Sequence, residues 1–140
     1  MNKLEKYQNY ANKIAEKLGL DTKPIIRWSG GDCLVAKRHN AHCHVQDGEF
    51  PKGTICIKQG IEKVDYWHQL ITHEVTHLAV KSGHSSVTFA RRMVELGQAT
   101  HRQKVMARAG RRHHHIFSIR YYNNGVYHHS CCCICQKEKE

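Results

Sequence analysis

A chain of 140 residues can hold one domain with a sizeable core and is too short for two independent ones. It carries no apolar run long enough to cross a bilayer, and nothing like a secretory signal follows Asn2, Lys3 and Lys6, so an intracellular protein (cytoplasmic, or nuclear and nucleoid-associated) with no membrane partner is expected. The formal charge of +10 is unevenly placed: between Leu96 and Lys137 there is no Asp or Glu, while Arg102, Lys104, Arg108, Arg111, Arg112 and Arg120 fall there. Such a field attracts nucleic acid or another polyanion; the plainer reading is a solvated basic surface without a fixed partner.

From Asn2 to Leu18 the apolar residues Leu4, Tyr7, Ala11, Ile14, Ala15 and Leu18 recur at helical spacing, with Gly19 as the stop and Leu20 folding back. From Ile25 to Ile57 the texture changes to short runs: Ile25–Trp28, Cys33–Ala36, Ala41–Val45 and Thr54–Ile57. Gly30-Gly31, Arg38-His39-Asn40, Asp47-Gly48 and Pro51-Lys52-Gly53 punctuate them. The pattern predicts a small antiparallel meander that covers one side of the following helix and offers an edge to an extended ligand. Alternation puts His42 and His44 on one face, which suits either a metal pair or a surface role. Cys33, Cys43 and Cys56 read as small buried hydrophobes.

Gly60 to Lys81 predicts the central helix, with Asp65 near its start and Leu70, Ile71, Val75 and Leu78 as anchors. Within it stands His73-Glu74-Val75-Thr76-His77. Residues four apart lie one turn above the other, so both imidazoles can aim at one point, and two neutral imidazoles on one face suit zinc. Glu74 is placed to take a proton from a water at an open coordination position, which reads as a zinc hydrolase site with peptide-bond hydrolysis as the default chemistry. Ser82-Gly83 ends the run. His84 follows as the candidate third ligand, or else binds a neighbouring carbonyl, and Glu95 is its rival. Ser85 or Ser86 caps a next helix, which buries Phe89, Met93 and Leu96 and stops at Gly97.

Thr100 to Ala109 predicts a short basic helix with Val105, Met106 and Ala109 on one side. Beyond the triple histidine 113–115, Ile116–Tyr122 and Val126–His129 flank Asn123-Asn124-Gly125, a hairpin signal. The histidines fit metal or a basic, soluble patch. Cys132 and Cys135 make one Cys-x-x-Cys pair that His128, His129 or Cys131 could complete as a second zinc site; free thiols are the competing reading.

Residues 73–89, HEVTHLAVKSGHSSVTF, resemble the SprT-like and WSS/YgjP-like zinc metallopeptidases, a compact gluzincin-type group. That group has a histidine–glutamate–histidine helix, then a third histidine beside Gly or Ser and an aromatic residue; here His73, Glu74, His77, His84 and Phe89 fill those places. The metzincin pattern fails twice, at Val80 and Gly83. The resemblance implies an α+β fold: a minimal zincin-like domain over 1–97 with an N-terminal helix, a small antiparallel sheet, an active-site helix and a ligand-bearing helix. Residues 98–140 then form a basic His/Cys-rich extension. It implies a zinc-dependent endopeptidase acting on protein or peptide, with His73, His77 and His84 as ligands and Glu74 as general base. Some relatives act on DNA-bound proteins, and Arg102, Lys104, Arg108, Arg111 and Arg112 are the candidate nucleic-acid contacts. Tyr121, Tyr122 and Tyr127, or a histidine of 113–115, are the candidate oxyanion partners. The alternative is a noncatalytic, zinc-containing nucleic-acid-binding protein.

Overall fold

The structure, a computed structural model, describes residues 2–61, 65–81, 86–109, 119–123 and 126–131, with side chains as far as Arg108. The fold is α+β. Two compact units divide it, Met1–Lys81 and Ser82–Glu140.

The first unit opens with helix α1, Lys3–Lys17. Asn2 and Glu5 form a reciprocal capping box: the Glu5 N–H donates to Asn2 Oδ1 at 2.8 Å and the Asn2 N–H to Glu5 Oε2 at 3.1 Å. At the other end Gly19 takes φ 65°, so that its own N–H reaches the Glu16 carbonyl and the Leu20 N–H the Ala15 carbonyl. Tyr7, Ala11, Ile14 and Ala15 bury one face.

Strands β1 (Ile25–Ser29), β2 (Ala41–Cys43) and β3 (Thr54–Lys58) form one sheet in the order β1-β3-β2. The sheet is mixed, which corrects the expected antiparallel meander. β1 runs parallel to β3, with Ile26 opposite Ile55, and β2 runs antiparallel to it, with His42 opposite Cys56. Parallel neighbours need a crossover, and the run expected as a strand at Cys33–Ala36 supplies part of it as the short helix α2, Leu34–His39. Its buried positions, Cys33 and Ala36, are three apart, while Leu34 and Val35 face solvent, which is a helical rather than an alternating pattern. β3 is the central strand, and Thr54, Ile55, Cys56 and Ile57 are buried on both of its faces.

Gly53 enters β3 with φ 95°, and a Cβ there would lie 2.8 Å from the Lys23 carbonyl oxygen and 2.9 Å from Thr22 Cγ2. Gly53→Ala is therefore expected to destabilise by about 1–3 kcal/mol, read as a lower urea midpoint at unchanged m-value.

Helix α3 spans Trp67–Ala79; it starts later than the expected Gly60, and no side chain caps it. Ile71, Thr72, Val75 and Thr76 bury one face. The two threonines are weak helix formers, but each hydroxyl donates to the carbonyl four residues back, Thr72 to His68 and Thr76 to Thr72, both at 2.7 Å. Tyr7 packs on Trp67 at 4.8 Å between centroids, and the Tyr10 hydroxyl meets Thr72 Oγ1 at 2.8 Å, which docks α1 on α3. Gln8 joins α1 to the free edge of β1, accepting from the Ile26 N–H and donating to the Pro24 carbonyl, each at 2.8 Å.

In the second unit, helix α4 (Val87–Glu95) is capped by Ser86, whose Oγ accepts from the Phe89 N–H at 3.1 Å, and Gly97 with φ 73° ends it. Phe89, Ala90 and Met93 are buried. Helix α5 (His101–Ala109) starts with a capping box between Thr100 and Gln103 and packs along α4. Its buried positions are Gln103 and Met106, and Val105 is 42% exposed. Strands β4 (Ile119–Asn123) and β5 (Val126–Cys131) pair antiparallel, as the Asn-Asn-Gly turn predicts. Among the described residues no helix is long and apolar enough to cross a membrane.

Candidate metal centre

One turn of α3 places the rings of His73 and His77 together, with centroids 4.9 Å apart and planes at 79°. Both are half-buried, and Glu74 beside them is 7% exposed. One donor atom from each of the three lies within 4.8 Å of the other two. Two ring nitrogens and a carboxylate are an N/O donor set for a divalent transition ion, so these residues fit a metal.

Glu74 is also met from a second direction. The Cys43 backbone N–H lies on the side of its carboxylate and favours the charged form. Along β2 the even-numbered residues bond to β3: the Asn40 carbonyl accepts from Lys58 N–H, and the His44 N–H donates to the Thr54 carbonyl. Residues 41 and 43 therefore turn their backbone groups to the outer edge of the sheet, and Glu74 sits against that edge. Burial pushes the Glu74 carboxyl up to about 7, and the Cys43 N–H opposes that rise. A carboxyl that titrates near neutrality is suited to exchanging protons.

Of the other residues singled out by sequence, His84 lies outside the described residues. So do Arg111, Arg112, the triple histidine 113–115, Cys132 and Cys135. Tyr121, Tyr122, Tyr127, His128 and His129 fall on the β4–β5 hairpin, where Tyr121 registers with His129 and Tyr122 with Tyr127; their side chains are outside the description. Glu95, the rival ligand, is exposed and paired with Arg92 at 2.9 Å. Arg102, Lys104 and Arg108 are exposed on α5, and the last two join Arg91, Val94, Glu95 and Ala107 around an open groove of about 490 Å³.

The structure also gathers a group that the sequence did not reveal. His44 Nε2 lies 3.7 Å from Cys33 Sγ and 3.4 Å from Cys56 Sγ, and the three donors lie within 4.8 Å of one another. His44 was expected on the surface or paired with His42; it is indeed beside His42, with ring centroids 4.7 Å apart, but its ring nitrogen faces two thiols. Cys33 and Cys56 are buried in an apolar cluster, as expected of small hydrophobes, and their thiols also face His44. The Cys43 thiol is buried too and is pushed up to about 12, first by desolvation and then by Glu74. No spacing rule reveals the group, because its members come from three elements separated by more than ten residues each. Desolvation is also the first cause that lowers the His42 and His44 pKa values, which favours the neutral imidazole.

Compared with family models, curated proteins and solved structures, the chain matches none.

Proposed function

We propose that the chain is a zinc-dependent endopeptidase, with His73, His77 and His84 holding the ion and Glu74 as general base. The observation that carries this reading is the position of Glu74, buried against the outer edge of β2 and within 4.8 Å of donor atoms of both imidazoles. The likeness of residues 73–89 to the SprT-like and WSS/YgjP-like metallopeptidases supports it from the sequence side.

A zinc ion bound there supplies a Lewis acid and lowers the pKa of a coordinated water. The chain's own residues do the rest. An extended substrate lying beside β2 would bring a backbone carbonyl alongside α3. Glu74 takes a proton from the attacking water and returns it to the leaving amine.

The basic residues of α5 favour substrates associated with nucleic acid. Arg91, Lys104 and Arg108 line an exposed groove of the kind that holds phosphates in a salt-dependent way. The test is cleavage of an unstructured protein by the zinc-loaded full chain and by Glu74→Gln, with and without duplex DNA. Turnover by the wild type alone, raised by DNA at low salt, is expected. Tight, salt-sensitive DNA binding with no turnover by either protein would favour the noncatalytic alternative.

A further inference from the structure

We propose that Cys33, His44 and Cys56 form a second metal site for a thiophilic divalent ion of the zinc class. The distances carry the first argument. Zn–S bonds of about 2.3 Å and Zn–N bonds of about 2.05 Å at the tetrahedral angle give an S···N edge of about 3.6 Å. The two observed edges, 3.4 and 3.7 Å, fall on either side of that value. A single ring nitrogen has one lone pair or one proton in the ring plane, and so serves one hydrogen bond well. Two sulfurs converging on His44 Nε2 are accounted for by one ion shared among the three.

Charge and surroundings agree. Two thiolates neutralise a divalent cation, so nothing uncompensated is buried. Arg27 donates from Nη1 to Cys56 Sγ at 3.4 Å, a contact that suits a ligating thiolate, and its own charge is matched by Asp32, with Nη2 to Oδ2 at 2.6 Å. The walls are apolar. Cys33 and Cys56 are 5% and 0% exposed and cluster with Ala36 and Phe50. The Phe50 ring lies 4.8 Å from that of His44 and carries the Arg27 guanidinium at 4.6 Å. Three protein donors, two of them sulfur, suit a thiophilic ion and leave its fourth tetrahedral position to water or a further donor.

The three ligands also stand where a clasp is useful. Cys33 precedes α2, His44 follows β2 and Cys56 is the middle residue of β3. An ion between them ties the crossover to both strands, and its binding free energy becomes folding free energy. His44 adjoins Cys43, whose N–H lies beside the Glu74 carboxylate, so the clasp also steadies the edge on which the first site rests.

The test is a cobalt(II) titration, under a non-thiol reductant, of the full chain with Cys131, Cys132, Cys133 and Cys135 changed to serine. The remaining thiols are then Cys33, Cys43 and Cys56. A sulfur-to-cobalt charge-transfer band is expected, and it should persist and saturate at one equivalent in His73→Ala/His77→Ala, which separates this site from the hydrolase reading. Cys33→Ser or Cys56→Ser should halve the band and weaken binding by more than the roughly 10- to 100-fold typical of losing an outer-shell partner. His44→Gln, a milder change at a half-buried position, should keep the band and weaken binding. Cys43→Ser, an equally buried thiol outside the group, should leave both unchanged. Absence of the band, its survival in Cys33→Ser/Cys56→Ser, or an equal loss in Cys43→Ser would overturn the proposal.

Discussion

Glutamine at position 74 is expected to lower peptide hydrolysis by roughly 100- to 10,000-fold, the contribution of a placed general base, with zinc content unchanged. The amide keeps the shape of the side chain, so the turn of α3 that carries His73 and His77 is preserved. What it loses is the capacity to take a proton. Steady-state kinetics beside metal analysis of the same samples decide the matter. A variant that turns over like wild type removes Glu74 from the chemistry, and one that loses zinc makes it a ligand instead of a base.

The same substitution is expected to stabilise the metal-free protein at alkaline pH. Burial raises the Glu74 carboxyl from 4.5 in the unfolded chain to about 7 in the folded one. The folded state therefore binds the proton more tightly. The stability this confers is fully present below pH 4.5 and is lost as pH rises through 7. A difference of 2.5 pKa units (7 minus 4.5) corresponds to about 3 kcal/mol at 1.36 kcal/mol per unit. In urea unfolding at pH 8, metal-free Glu74→Gln should thus exceed wild type by about that amount, and the gap should close toward pH 4. Zinc should shrink the gap as well, because a cation near the carboxylate favours its charged form. Equal stabilities across this range would mean that Glu74 is solvated, against its 7% exposure. The unfavourable burial of a charge is the usual stability cost of a functional group.

The candidate site was legible in the sequence because its geometry is local. His73 and His77 are four apart on a strongly patterned helix, and that interval alone brings their rings to 4.9 Å. Helix ends were legible for the same reason: Gly19 and Gly97 take the positive φ that ends α1 and α4, and Ser86 caps α4 through its own hydroxyl. The antiparallel pairing of β4 with β5 agrees with the hairpin signal of Asn123-Asn124-Gly125 in the sequence.

What could not be read is set by contacts distant in the chain. Cys33–Ala36 is a short apolar run whose helix or strand character is ambiguous until its neighbours are known, and Leu34, at 68% exposed, belongs to no core. Once that run is a helix, β1 can pair parallel with β3, which no turn signal could announce. The Cys33–His44–Cys56 group follows from that topology, since the sheet places Cys56 across from His42, two residues from His44. The Cys43 N–H beside Glu74 is visible only after β2 is known to be an edge strand.

Zinc-edge anomalous diffraction from zinc-loaded crystals of the full chain tests the central claim most directly. The account predicts a peak about 2.0–2.1 Å from a ring nitrogen of both His73 and His77, with His84 as third ligand and the Glu74 carboxylate outside bonding distance. No peak between the two imidazoles, or a Glu74 oxygen within the coordination sphere, would contradict it.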